Sequence, residues 1–515
     1  MFIYSGIHKF HIWESLNQAE AQLNLHYLIA ILGLALSANL AHARIIYTEI
    51  SQSCKNINWN VNSTESESSF LVSSGVYQSL LRPGPKGTII PNLAKNWEII
   101  DPKTVRFTLK DNVYFSNGKK LESIDAKLSM NDILSKTDFT KIILGNVESV
   151  EIIDSTKFYL KLRKPDPLIL QKISVFFRLY YLRDETNIVF ASNKIVPGTG
   201  PWKISSMTSA QYIFEPSFKS QDNKLIVFCN SNGFDKKLLS KIEKEDLVLI
   251  DNLSNKSQLD LRKHFKLNIV ETSEAIQTFG IFNLLSDNEA IKDSEIRKAI
   301  NYSIDRSAFS RLVLKNQGYM LPGLSLTNEV GHNDLSLYPH KIKIAKNIVK
   351  KWLRQNKRNS VTLRVGLQSQ EDNTLNFVDL LKFSLQRIGI KLILNTGYSV
   401  EKQTAFRNDI DLIFGSDPSP YFHMDFLIRN FYLPSSIYYV GTTKELGDEI
   451  LKIDSLADNS DIEEQYKKID KYLYDNFLGI PGFQLQKIRA FNGDISEISS
   501  QGPLLDFSII SSGRN

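Results

Sequence analysis

Between Val76 and Met130 the chain reads VYQSLLRPGPKGTIIPNLAKNWEIIDPKTVRFTLKDNVYFSNGKKLESIDAKLSM. An apolar and aromatic start (Val76, Tyr77, Leu80, Leu81) runs into a turn built from Pro83, Gly84, Pro85 and Gly87. Val105, Phe107 and Leu109 then alternate with polar residues, the period of a half-buried strand. A second turn at Phe115-Ser-Asn-Gly118 leads into Leu121 to Asp125. Such a run specifies short strands and turns rather than one long helix.

At 515 residues the chain exceeds one compact core, and at about 150 residues per domain it fits roughly three. The net charge of +6 is small for this length, and no helix-turn-helix or zinc signature accompanies it. No nucleic-acid partner is expected. Tyr27 to Ala38 is a short apolar run followed by Asn39-Leu-Ala-His-Ala43. It is shorter than the ~20 residues a spanning helix needs. Ala41 and Ala43 satisfy the small-residue rule for signal-peptide cleavage, with Arg44 as the first mature residue. The segment before the run is long and carries one firm positive charge, Lys9. A start site placed too early or an uncleaved anchor would each account for that. No cysteine follows the run where a lipid would be attached, so a free periplasmic protein is expected, cleaved after Ala43. Cys54 and Cys229 are the only cysteines. In an oxidising compartment they form one disulfide, or they remain two separate buried thiols.

Along the rest of the chain, Ile45-Ile46-Tyr47 reads as a first strand, followed by a polar stretch through Ser69. Val147 to Leu162 gives two alternating strands around an Asp154-Ser155 turn. Lys224 to Cys229, Leu247 to Ile250 and Thr278 to Asn283 read as buried strands. Ile296, Ala299, Ile300 and Ile304 form one apolar helical stripe, with Asp293 or Ser294 as its cap. Asp305 can cap a second helix carrying Phe309, Leu312 and Val313, ending near Gly318. After Pro339 a helix sets Ile342, Ala345, Ile348, Val349, Trp352 and Leu353 against a face of lysines. Thr362 to Leu367, Leu375 to Ile388 and Ile390 to Leu394 then make a strand, a helix and a strand, with Gly389 ending the helix. That unit implies an α/β domain. The Gly-rich loop Pro197-Gly-Thr-Gly-Pro201 lacks the Lys-Ser/Thr ending of a phosphate loop and has proline where the helix would open.

In their order these pieces resemble the family 5 solute-binding proteins, the peptide, nickel and oligopeptide receptors of bacterial ABC importers. The matching residues are Pro91-Asn-Leu-Ala-Lys-Asn-Trp97-Glu98, Phe115-Ser-Asn-Gly118, Pro197 to Pro201, Ile291 to Arg306 and Asp409 to Gly415. Asn117 replaces the family's usual Asp, and Ser416 stands where the family often has Trp. The resemblance implies a bilobal α/β periplasmic binding protein, type II-like and of cluster C, with an extra domain inserted in the first lobe. The implied division is a signal peptide over 1–43, lobe 1 over 44–75 and 191–274, and the inserted small α/β domain over 76–190. Lobe 2 follows over 275–485, and 486–515 returns to lobe 1. It also implies capture of a short peptide, or a similar small solute, by lobe closure and delivery to an ABC permease in the inner membrane. A monomer is expected. In the family an Asp after this turn meets the ligand ammonium; Asp417 is the nearest candidate, with Ser419 and Asp425 as other alignments.

Further ligand-binding candidates are Ser416, Tyr421 and His423, with Glu67, Ser69 and Tyr77 on the first lobe. Their structural alternatives are a surface loop for Glu67 and Ser69, a core aromatic for Tyr77, and a cap of an Asp-Pro turn for Asp417. No paired histidine spacing surrounds His423, and the chain has 8 histidines, so neither metal nor cofactor is expected. No G-x-S-x-G elbow, H-E-x-x-H or Cys-His signature is present. No catalytic residue is assigned, and the chain is expected not to be an enzyme. The other classes kept are a degenerate relative with a regulatory or structural envelope role, and a hydrolase.

Overall fold

The computed structural model describes residues 45–50, 53–57, 59, 67–84, 88–135, 139–184, 195–218, 223–229, 247–250, 268–315, 317–327, 329–368, 372–395, 408–419, 423–436, 438–456, 459–492 and 507. Two strands tie its halves together. Asn268–Phe282 and Gly479–Phe491 run antiparallel from Asn268 opposite Phe491 to Ile281 opposite Gly479, and their register shifts between Ser273 and Gln277. At one end Phe491 and Ala490 pair with Leu249 and Ile250. At the other, Phe282 pairs with Leu412. Among the described residues one sheet of eleven strands therefore crosses both lobes.

In the first lobe Ile45–Glu49 lies parallel to both Lys224–Phe228 and Leu247–Ile250. Trp202, Tyr212, Leu225 and Val227 fill the core below it. The structure joins Cys54 and Cys229 in a disulfide, with their Cα atoms 5.3 Å apart. The glycines of the 197–201 loop serve close packing: a Cβ on Gly198 would sit 2.0 Å from the Val76 carbonyl oxygen, and one on Gly200 2.2 Å from that of Gly75. Gly200 and Trp202 donate to the Val76 and Gly75 carbonyls at 2.8 and 3.1 Å.

Residues 80 to 181 pack as a separate body. Its four-stranded antiparallel sheet holds Ala94–Asp101, Thr104–Leu109, Lys157–Leu162 and Val147–Ile152, in that order. Phe107, Phe158 and Leu160 on the sheet bury against Ala126, Met130 and Ile133 of helix Ser123–Ser135. The Asp154 turn is fixed by its own carboxylate, which accepts from the Thr156 and Lys157 amides at 2.8 Å.

In the second lobe Val361–Leu367 lies parallel to Ile390–Asn395 and to Leu412–Pro418. Helix Ser294–Ser303, capped by Asp293, buries Ile296, Ala299 and Ile300. Helix Ile342–Gln355 buries Ala345, Val349 and Trp352, and Gly389 closes helix Asp372–Ile388 at φ 86°. Among the described residues no helix is long and apolar enough to cross a membrane.

Three local expectations are corrected. The end of the polar stretch, from Glu67, is helical: Glu67–Ser74 is a helix, with Ser73 and Ser74 returning their hydroxyls to the Phe70 and Leu71 carbonyls. The helix capped by Asp305 ends earlier than Gly318, in one wide turn closed by Lys315 N–H to Ser310 C=O, with Lys315 left-handed at φ 46°. The strand expected over 278–283 begins at Asn268. The apolar run at Tyr27 and the cleavage position at Ala43 lie outside the described residues.

Candidate functional site

The segment that carries most of the second-lobe candidates starts as a strand. Leu412–Pro418 pairs along Asn268–Phe282, so Ser416 lies opposite Thr278 and Asp417 opposite Gln277. The Asp417 backbone is therefore in the sheet and not in a turn. Gln277 in turn faces Gln484, and Gln484 faces Tyr319. Directly opposed residues of antiparallel strands share a face. Gln277, Gln484 and Tyr319 thus form one polar row across the strands that join the lobes, and the Asp417 backbone pairs beside it. The Tyr319 hydroxyl donates to Gln484 Oε1 at 2.5 Å. Gln277 is 2 % exposed, and its Oε1 has no hydrogen-bond partner among the described residues. The Ser416 hydroxyl sits 3.1 Å from that of Thr278 and 3.4 Å from that of Thr374.

Ser419, three residues past Ser416, turns inward. It is buried, donates to the Glu329 carboxylate and accepts from the His423 amide at 3.2 Å. Glu329 also accepts from the Leu326 amide at 2.9 Å. Burial pushes its carboxyl up to about 7, against the opposing effect of those two donors. His423 is equally buried. Its Nδ1 accepts from the Asp425 amide at 3.1 Å, and Tyr466 meets the ring edge-on at 4.4 Å. Burial holds this imidazole down to about 4, so it is neutral at pH 7. The structure thus brings Ser419 and His423 into direct contact and seats Ser419 on Glu329, a residue that sequence reasoning missed because LTNEVGHND carries no motif. Tyr421 lies outside the described residues, as do the side chains of Asp417 and Glu67.

On the first lobe, Ser69 lies buried on helix Glu67–Ser74 and not on a surface loop. Tyr77 is a core residue. Its hydroxyl accepts from the Val196 amide at 3.2 Å, and burial raises the phenol well above its usual range. Beside them Arg178, also missed, is 3 % exposed, donates to Ser73 and stacks 4.3 Å over the Phe70 ring. A buried arginine stacked on an aromatic keeps a fixed geometry.

Where the body of residues 80 to 181 meets the second lobe, charges line the seam. Lys172 contacts Asp166 of its own body at 2.9 Å and Asp425 of the second lobe at 3.6 Å. Asp425 also takes Arg429 and Tyr466 as donors. Burial alone would raise the Asp425 carboxyl, but Arg429 and Lys172 together hold it well below the usual carboxylate range. Lys164 reaches Asp454 at 3.2 Å, and Arg429 does so at 2.7 Å. Apolar contact crosses with them: Phe426 is buried in the core of the 80–181 body, and Leu168 in that of the second lobe. The Asp425–Arg429 spacing is the i, i+4 pair of a helix face, the one signal of this seam present in the sequence.

The model of the bacterial extracellular solute-binding proteins, family 5, middle region, matches residues 88–439. The nickel-binding protein NikA of Staphylococcus aureus is 25 % identical over 264 residues, which are 50 % of this chain and 51 % of that protein. The chain thus spans about half the length of that curated relative. Among solved structures, the binding protein AgaA of A. tumefaciens R10 in complex with agropinic acid superposes with a TM-score of 0.72 at 18 % identity, over 91 % of this chain and 97 % of that one. The binding protein DppA of Helicobacter pylori in complex with the peptide STSA gives 0.70 at 16 % identity, over 91 % and 97 %.

Proposed function

The chain belongs to the bacterial extracellular solute-binding proteins of family 5, and we propose that it captures a short peptide, or a similar small solute, between its lobes and delivers it to an ABC permease in the inner membrane. The observation that carries this reading is the pair of strands linking the lobes, interrupted in register at Gln277 and flanked there by Ser416 and Asp417. A two-strand connection bends at such an irregularity, and a solute that contacts both lobes then favours the closed form. The lobes follow the division set out above, with 44–75, 191–274 and 486–515 as the first lobe, 76–190 inserted, and 275–485 as the second. Asp417 meets the solute ammonium, Ser416 and Gln277 offer it hydroxyl and amide groups, and Glu67 and Ser69 face it from the first lobe. The protein works as a periplasmic monomer after cleavage at Ala43.

A second reading takes a nickel complex of an amino acid as the solute, in keeping with the nickel-binding relative. Among the described residues no three His, Cys, Asp or Glu side chains converge on a point. On this reading the organic part of the complex supplies the contacts.

A thermal-shift screen of the mature protein separates these readings. Di- to pentapeptides raise the melting temperature if the first holds, because a ligand of the folded state stabilises it. A shift with nickel and histidine together, and none with peptides, supports the second. No shift with either leaves a relative with an envelope role and no transported ligand. With a bound peptide, Asp417→Asn weakens binding by more than ~1.5 kcal/mol. Unchanged affinity by calorimetry removes Asp417 from the site.

A further inference from the structure

The seam between the 80–181 body and the second lobe holds a cavity of ≈ 580 Å³ that is open to solvent on one side. That volume lies inside the range of about 300–1,000 Å³ typical of small-molecule sites. Its walls come from both sides: Ile143, Arg163, Lys164 and Lys172 from the inserted body, Phe426, Arg429 and Leu433 from the second lobe. None of its lining residues is Ser416, Ser419, His423 or a member of the linking strands.

The charges of the wall do not balance. Four cationic side chains, of Arg163, Lys164, Lys172 and Arg429, face three carboxylates, of Asp166, Asp425 and Asp454. Each carboxylate already has a cation: Asp166 has Lys172, Asp425 has Lys172 and Arg429, and Asp454 has Lys164 and Arg429. Arg163 is exposed and has no ion-pair partner among the described residues. One positive charge is therefore left at the cavity, next to the apolar surface of Ile143, Phe426 and Leu433.

We propose that this cavity is a second ligand site, taking a small organic monoanion with an apolar body, such as a medium-chain or aromatic monocarboxylate. Its carboxylate pairs with Arg163, a planar donor suited to carboxylate geometry, and its apolar part covers Ile143 and Leu433. An unpaired arginine, and not a buried pair, supplies the binding energy, so no existing ion pair has to break. Because the walls belong to both lobes, occupancy favours the closed form. On the reading of the protein as a solute receptor, the monoanion then raises affinity for the transported solute, and the solute raises affinity for the monoanion.

Calorimetry on the full mature chain without any transported solute tests the site itself. The probes are sodium octanoate and sodium phenylacetate, with acetate, octanamide and octylamine as controls. The expected result is binding of the first two with Kd below about 1 mM, and at least tenfold weaker binding of each control. Arg163→Glu, at an exposed position, weakens octanoate at least tenfold, whereas Lys382→Glu, on the exposed face of helix Asp372–Ile388, leaves it unchanged. Binding of octanamide as tight as octanoate, no binding of either anion, or indifference to Arg163→Glu overturns the proposal. These outcomes do not depend on the transport reading. The coupling is tested separately, by titrating the solute found in the thermal-shift screen with and without octanoate; equal affinities overturn the coupling and leave the site standing.

Discussion

Asp425 is the residue on which the seam depends most. It is 1 % exposed and holds Lys172, Arg429 and Tyr466 at once. Removing one partner of a buried ion pair leaves an uncompensated charge. Asp425→Asn is expected to destabilise the protein by roughly 3 kcal/mol or more in urea unfolding. A few tenths would show the network to be solvated. Glu329 and Asp470 give a second residue-scale expectation. Burial pushes both up to about 7, from ordinary values of 4.5 and 3.8. Between those values the folded protein keeps protons that the unfolded chain has released, so these two groups make stability fall as pH rises to about 7. His423 has the opposite sign. It stays neutral down to about 4 where the unfolded imidazole binds a proton below 6.5, so its contribution is lost as pH falls through that window. Glu329→Gln removes one of the two falling contributions. Denaturation midpoints measured from about pH 5 to 7 should then decline less than in the unaltered protein; an identical decline would sink the assignment. Of these residues only Asp425 and His423 could be singled out from the sequence. Glu329 reaches Ser419 across 90 positions, and no local pattern encodes that.

At the scale of elements, strands were legible wherever side chains alternate. The two strands around Asp154 and the strand–helix–strand unit ending at Ile390–Asn395 lie where the periodicity places them. Helix Glu67–Ser74 was not legible, because its serines have poor intrinsic helix preference. They are tolerated once buried, since Ser73 and Ser74 satisfy their hydroxyls on carbonyls of their own helix and Ser74 also accepts from the Phe507 amide at 2.8 Å. The linking strands illustrate a different constraint. A Cβ on Gly482 would lie 2.2 Å from the Thr278 carbonyl oxygen, a contact with backbone that no rotamer can relieve. Gly482→Ala is therefore expected to cost about 1–3 kcal/mol by chemical denaturation, with the strand pair displaced. A neutral substitution would mean that the linking strands are less tightly apposed at that point.

At the scale of the whole molecule, the seam joins two pairs that are each complete by themselves. If the lobes part, Lys172 keeps Asp166 and Asp425 keeps Arg429. Among the described residues only Lys164 loses its partner, Asp454, and it is exposed, so opening strands no buried charge, which suits a contact that forms and breaks if the lobes close on a solute as proposed. Replacing the inserted body's pair together, as Lys172→Met with Asp166→Asn, removes the Lys172–Asp425 contact across the seam without leaving either charge alone. The ligand-free double variant should show a larger radius of gyration by small-angle scattering, and an unchanged radius would argue against the seam as a closure contact. The sequence by itself determined the class of the molecule. Hydrophobic period, turn residues and helix caps act over a few positions, and in their order they marked the family and an α/β fold. The tertiary structure alone decided which charges meet. Lys172 and Asp425 stand 253 positions apart, and nothing in the neighbourhood of either requires the other. Ion pairs and cavities between lobes depend on how separately packed bodies come to rest against one another, and local propensity carries no term for that distance.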